Sequence, residues 1–95
     1  MALIVVGDPR VVVLRDWWTP ERLRRVVEAM QEALRTREEY AAQYGVSLKL
    51  GISVRMLTRY LSGESKPCDR TLVFIDAGIK RVLGNDWLKE FGNAP

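Results

Sequence analysis

The stretch GISVRMLTRYLSGESKP, residues 51–67, predicts a short helix with a defined start and a defined end. Ser53 is a favourable N-cap, because its hydroxyl can accept a hydrogen bond from a backbone N–H in the first helical turn. Gly63 ends the pattern, since glycine is favoured just after a helix. The helix is therefore expected over residues 53–62. Its apolar positions, which recur at helical spacing, are Val54, Leu57 and Leu61.

The charge of the chain is concentrated around this helix. Residues 1–44 carry seven Arg and seven Asp or Glu, and residues 71–95 carry three basic and three acidic residues. The remaining segment, 45–70, carries five basic and two acidic residues, so the whole net charge of +3 lies there. Within it, Arg55 and Arg59 share one side of the predicted helix. A local basic patch of this kind favours a polyanionic partner.

Several classes of function are disfavoured by composition. The chain has no histidine and a single cysteine, Cys68, which leaves no Ser-His-Asp triad, no Cys-His pair and no transition-metal cluster. Its glycines form no phosphate-binding loop pattern. We therefore predict a protein that is not an enzyme and that uses no metal or cofactor. A lone cysteine and the lack of a membrane-length apolar stretch predict a cytoplasmic protein without membrane partners.

The N-terminal region reads as β-structure. Residues 2–6 and 11–14 are rich in β-branched residues and are separated by GDPR, which predicts a β-hairpin within residues 1–15. Both predicted strands are apolar on both faces, so they need cover on both sides. Either the hairpin covers the core of its own domain, or its edge pairs with a second copy as a dimerisation arm.

The rest of the chain predicts helices. Thr19 is a suitable N-cap with Pro20 at the first helical position, and an amphipathic pattern follows to about residue 35. A second helix then begins near residue 37, or the first one continues. Further helices are expected over 70–83 and within 86–91. The predicted fold is mainly α, with four to five helices over 19–92 and an N-terminal hairpin, in one domain spanning 1–95.

Residues 43–62 resemble the helix-turn-helix of DNA-binding repressors of the Cro and lambda-repressor-like (XRE) class, and the similarity extends over roughly 37–84. In that pattern a turn glycine is followed by an apolar residue, a polar cap and further apolar anchors. The apolar positions of the preceding helix also fit. The matching residues are Val46, Leu50, Gly51, Ile52, Ser53, Leu57 and Tyr60.

Two features depart from the family pattern. Ser47 stands where a small alanine is usual. In addition, EEYAAQYGVS also fits the first half of the motif, with Ala41 as the small residue and Gly45 at the turn. That second frame puts Gly51 where an apolar anchor belongs unless residues are inserted in the turn. Both frames keep 53–62 as the recognition helix.

The resemblance implies a sequence-specific transcription regulator that binds double-stranded DNA, and the apolar hairpin predicts a homodimer joined at least partly through residues 1–15. Arg55 and Arg59 are the expected base contacts, since arginine pairs with guanine in the major groove. Phosphate contacts are expected from Lys49, Ser53, Thr58, Ser62, Lys66 and Arg70. The candidate dimerisation residues are Leu3, Val5, Val11, Val12 and Val13. The alternatives are an antitoxin-like or adaptor-like protein-interaction module, or the DNA-binding head of a larger regulator.

Overall fold

The computed structural model describes residues 9–92, and within this range it contains six α-helices and no β-strand. The expectation of a mainly α fold is therefore confirmed. Five of the six lie within residues 19–92, in agreement with the four to five helices expected there, and the sixth replaces part of the predicted hairpin. Their bounds are α1 Pro9–Trp17, α2 Pro20–Thr36, α3 Gln43–Leu50, α4 Val54–Ser62, α5 Asp69–Leu83 and α6 Trp87–Phe91.

The predicted N-terminal hairpin is wrong for its second strand. Residues 11–14 lie inside α1, and the first predicted strand, 2–6, lies outside the described residues. Val11, Leu14 and Trp17 recur every three residues and are buried, so helical spacing and core burial outweigh the β preference of the valine run. Proline is favoured where Pro9 stands, at the start of a helix.

The connection between α2 and α3 also differs from expectation. Thr19 caps α2 as predicted, with its Oγ1 accepting from the backbone N–H of Arg22 at 3.1 Å. However, α2 ends at Thr36, so it neither continues nor gives way to a new helix at residue 37. Glu38 adopts a left-handed conformation with φ 59°, and the Glu39 N–H returns to the carbonyl of Leu34 at 2.8 Å. This closure ends the helix.

Helix α5 is the centre of the fold, because it packs against α1, α2, α3 and α6. Helix α4 packs on α2 and α3 instead. The resulting core draws on all six helices. None of the helices between residues 9 and 92 is long and apolar enough to cross a membrane. The most deeply buried large side chains are Leu14, Leu23, Met30, Leu34, Leu50, Leu57, Leu72, Ile75, Ile79 and Trp87.

The contact between α5 and α3 is a close backbone approach at Gly78. A Cβ atom at this position would collide with the carbonyl oxygen of Lys49 and lie 2.7 Å from the Cα of Leu50. Any side chain here would therefore have to push the end of α3 away from α5. Because α3 leads directly into α4, the glycine also sets where α4 lies.

A buried carboxylate joins α5 to α1 and α6. Asp76 is 5% exposed and accepts two hydrogen bonds from Arg10, at 3.1 and 2.6 Å, and one from Trp87 Nε1 at 2.8 Å. Lys80 lies 3.4 Å from the same carboxylate. Burial alone would raise the pKa of Asp76, but the hydrogen bonds from Arg10 and Trp87 and the nearby positive charges hold it below its usual range.

This carboxylate should make the stability of the fold depend on pH. Its depressed pKa means that the unfolded chain takes up a proton more readily, so the stabilisation is present at neutral pH and lost as pH falls below about 4. We expect Asp76→Asn to lower the free energy of unfolding at pH 7 by about 1–3 kcal/mol. The variant should also lose less stability between pH 6 and pH 3 than the wild type does.

Urea unfolding followed by circular dichroism at several pH values measures both effects. The matched control is Asp86→Asn, which removes an exposed carboxylate next to the same tryptophan. Equal acid sensitivity of the wild type and Asp76→Asn would show that Asp76 does not carry the pH dependence.

Candidate functional site

Helices α3 and α4 form a unit joined by a three-residue turn. Gly51 ends α3 in the left-handed conformation, with φ 71°, which glycine adopts at little cost. The Ile52 N–H closes the end of α3 by donating to the carbonyl of Ser47 at 3.2 Å. Ser53 then caps α4, its Oγ accepting from the Met56 N–H at 3.1 Å. The predicted cap and the predicted end at Gly63 are both confirmed.

Helix α3 fits the motif in the frame that places Gly51 at the turn before α4. Gly45 lies inside α3, and a Cβ there would collide with the carbonyl oxygen of Tyr40. The alternative frame, with Gly45 at the turn, is therefore wrong. Ser47 is buried, and its hydroxyl donates to the Tyr44 carbonyl at 2.6 Å. A small polar residue is thus accommodated without an unpaired donor.

The inner side of α4 is anchored in the core. Leu57 is completely buried, and Tyr60 and Leu61 are nearly so. Arg24 of α2 adds a hydrogen bond between the helices by donating to the Leu61 carbonyl at 3.2 Å. Burying a leucine side chain stabilises a fold by roughly 1.5–3 kcal/mol, so this side of α4 is held firmly. The other side of the helix faces solvent.

The outer side of α4 carries both predicted base-contacting residues. Arg55 is exposed and Arg59 is partly exposed. Two hydroxyls predicted to bind phosphate lie on the same side, but both donate within the protein. Thr58 donates to the Val54 carbonyl at 2.8 Å, and Ser62 donates to the Arg59 carbonyl at 3.0 Å. To donate to a phosphate, either hydroxyl would first have to leave its present acceptor.

The other predicted phosphate contacts differ in their surroundings. Lys66 is exposed in the connection after α4, and Arg70 is exposed in the first turn of α5. Lys49 instead pairs with Glu39 at 2.9 Å. Ser53 is exposed, and its cap bond uses the oxygen as an acceptor.

Nine arginine and lysine side chains of residues 9–92 have no carboxylate at ion-pair distance. Four of the nine lie close together in sequence, between residues 55 and 70, on α4 or shortly after it, and we call these four the basic group. The acidic residue nearest to them in sequence on α5, Asp69, is already bonded by Arg15 at 3.0 and 2.8 Å. This pairing reduces the electrostatic effect of Asp69 on the cations near it. The basic group consists of Arg55, Arg59, Lys66 and Arg70.

The predicted dimerisation residues divide into three sets. Val11 is buried in the core, so its assignment to an interface is wrong. Val12 and Val13 are 39% and 47% exposed on α1. Leu3 and Val5 lie outside the described residues.

Sequence reasoning missed two features of the site. Gln43 Nε2 donates to Thr58 Oγ1 at 2.8 Å and so ties the start of α3 to the middle of α4; no sequence pattern indicates this bond. Tyr40, Tyr44 and Leu48 form an exposed apolar patch in and just before α3, with the two rings 6.4 Å apart in an edge arrangement. The four-residue spacing of these three positions in the sequence could have indicated that they share one side of a helix.

No group of three or more histidine, cysteine, aspartate or glutamate side chains in residues 9–92 is arranged to hold a metal ion. In comparisons with known proteins, no family model, curated protein or solved structure matches the chain.

Proposed function

We propose that this protein is a sequence-specific DNA-binding transcription regulator that inserts α4 into the major groove. One observation carries the proposal. Helix α4 is anchored by buried Leu57 and presents Arg55 and Arg59, which no carboxylate of the described residues neutralises. Two arginines without an ion pair, one exposed and one partly exposed, on an anchored short helix suit a groove lined by guanine acceptors and flanked by phosphates.

The residues of the site take different roles in this proposal. Arg55 and Arg59 read base edges, while Lys66 and Arg70 hold phosphates and set the position of the protein on the duplex. Lys49 joins them only if it gives up Glu39, so its contribution is smaller. Such a regulator works where the DNA is, so the proposal includes a cytoplasmic location.

A homodimer fits this function. Val12 and Val13 expose apolar surface on α1, away from the buried row of that helix. A second copy related by a two-fold axis would cover this surface and present two copies of α4 to a palindromic site.

A protein-interaction module of the antitoxin or adaptor kind is the second candidate, favoured by the exposed patch of Tyr40, Tyr44 and Leu48. Large exposed apolar groups are typical of protein interfaces. The two functions differ in their response to salt. DNA binding weakens steeply with salt because counterions return to the phosphates, whereas an apolar protein interface responds much less. Either function is also compatible with a head domain of a larger regulator.

Arginine and lysine variants separate base contacts from phosphate contacts. We expect Arg59→Ala to weaken binding to a selected site by about 1–3 kcal/mol and to relax base preference at one position in each half-site. Lys66→Ala should weaken selected and random duplexes alike and lower the slope of log affinity against log salt by about one. Competition binding on both duplexes at several salt concentrations measures these effects.

The control is Arg25→Ala, which removes an exposed arginine from α2, outside the proposed interface. This variant should leave both the base preference and the slope of log affinity against log salt almost unchanged. If Arg59→Ala weakens random DNA as much as the selected site, Arg59 contacts phosphate only. If Arg25→Ala matches its effect, α4 is not the reading element.

The dimer is tested by a charge placed on α1. We expect Val13→Lys to shift the protein to monomers and to weaken operator binding strongly, because a lysine cannot be buried unpaired in an apolar interface. Deleting residues 1–15 is a poorer test, since it also removes buried Leu14. Analytical ultracentrifugation gives the oligomeric state.

Leu48→Lys is the matched control, as it adds the same charge at an exposed aliphatic position on α3. It should leave the dimer intact. Monomers from Leu48→Lys with dimers from Val13→Lys would place the interface on the α3 patch instead. A wild-type protein that stays monomeric at high concentration rules out the dimer.

A further inference from the structure

The outer side of α4 contains two rows of side chains. Arg55 and Arg59 form the first row at four-residue spacing. Val54, Thr58 and Ser62 form the second, which lies between the arginines and the buried side of the helix. Any partner that meets the arginine row along this helix meets the second row as well.

The second row is depleted of free hydrogen-bond donors. Val54 has an apolar side chain and is 37% exposed. The Thr58 hydroxyl donates to the Val54 carbonyl and accepts from Gln43, which leaves the methyl group as the part of the side chain without a hydrogen-bonding role. The Ser62 hydrogen is likewise directed to its own helix. The N-terminal half of this row therefore offers mainly hydrocarbon.

Among the four standard bases, only thymine presents a methyl group in the major groove. Thymine carries a C5 methyl group there, whereas the edges of the other bases are read through hydrogen-bond donors and acceptors. We infer that Val54, supported by the Thr58 methyl, contacts a thymine methyl and selects thymine at one position in each half-site. This inference rests on the proposed DNA-binding function and adds a specificity determinant that carries no charge.

The Gln43 bond makes this contact pre-organised. It holds Thr58 from outside the helix, while the Val54 carbonyl holds it from within. Val54 is the first residue of α4, beside the Ser53 cap, so the cap bond limits its backbone motion. An apolar contact gains most when its groups are already in place.

Removing a single methyl group from the DNA tests the inference. Binding sites are first selected from a random duplex pool with the full chain, and each thymine of the selected site is then replaced by deoxyuridine. This change deletes the methyl and keeps the base pairing. The wild type should lose about fourfold in affinity at one position per half-site, as expected for burying one methyl-sized group.

Two variants complete the experiment. Val54→Ala should lose most of the difference between the thymine and the deoxyuridine duplexes at that position, because both methyl groups of the valine are gone. Leu48→Ala, which shortens another exposed aliphatic side chain of the α3–α4 unit, should keep the fourfold difference. Circular dichroism checks that both variants retain the helical fold of the wild type.

The possible outcomes distinguish a failure of the thymine-methyl inference from a failure of the proposed DNA-binding function. If a sequence is selected but no thymine position responds to loss of its methyl, the inference fails and the DNA-binding function stands. A fourfold difference that persists in Val54→Ala also overturns the inference, since another group then reads the methyl. If the pool yields no preferred sequence, sequence-specific binding itself fails, and the inference fails with it.

Discussion

The close approach of Gly78 on α5 to the end of α3 is the constraint on which the rest of the α3–α4 unit depends. With no Cβ at this point, the backbone at Lys49 and Leu50 lies directly against α5. Arg81 donates to the Lys49 carbonyl at 3.4 Å at the same place. Because Gly51 turns the chain immediately afterwards, this contact fixes where α4 begins, and packing on α2 and α3 holds the rest of the helix. The basic side of α4 is therefore presented by a packed scaffold.

Helix α5 holds α1 and α6 by different chemistry. Asp76 binds Arg10 of α1 and the indole of Trp87 through hydrogen bonds, while Gly78, two residues on, binds α3 through close packing. Polar bonds of this kind depend on pH, and close packing does not. Acid should thus loosen α1 and α6 without acting directly on the contact that places α4.

Local signals in the sequence predicted α4 well, because its cap, apolar spacing and terminating glycine all act within a few residues. These local signals failed where the structure depends on contacts between residues that are far apart in the sequence. The run of valines at 11–13 prefers a strand locally, but the burial of Val11, Leu14 and Trp17 requires helical spacing. The end of α2 at Thr36 depends on a left-handed Glu38, a conformation that non-glycine residues rarely adopt. The role of Gly78 can be recognised only when the position of α3 is known. For the site, the charge pattern indicated Arg55 and Arg59, whereas the hydrogen bonds that occupy Thr58 and Ser62 are visible only in the folded protein.

Chemical-shift mapping tests the central claim, that the outer side of α4 binds double-stranded DNA, most directly. The 15N-labelled protein is titrated with a selected duplex, and the backbone amide shifts are followed along the chain. The account predicts shifts concentrated in residues 53–62 and 66–70, with little change on the exposed side of α2. Shifts centred on residues 40–48 with α4 unaffected would contradict it, and so would an unchanged spectrum at millimolar duplex.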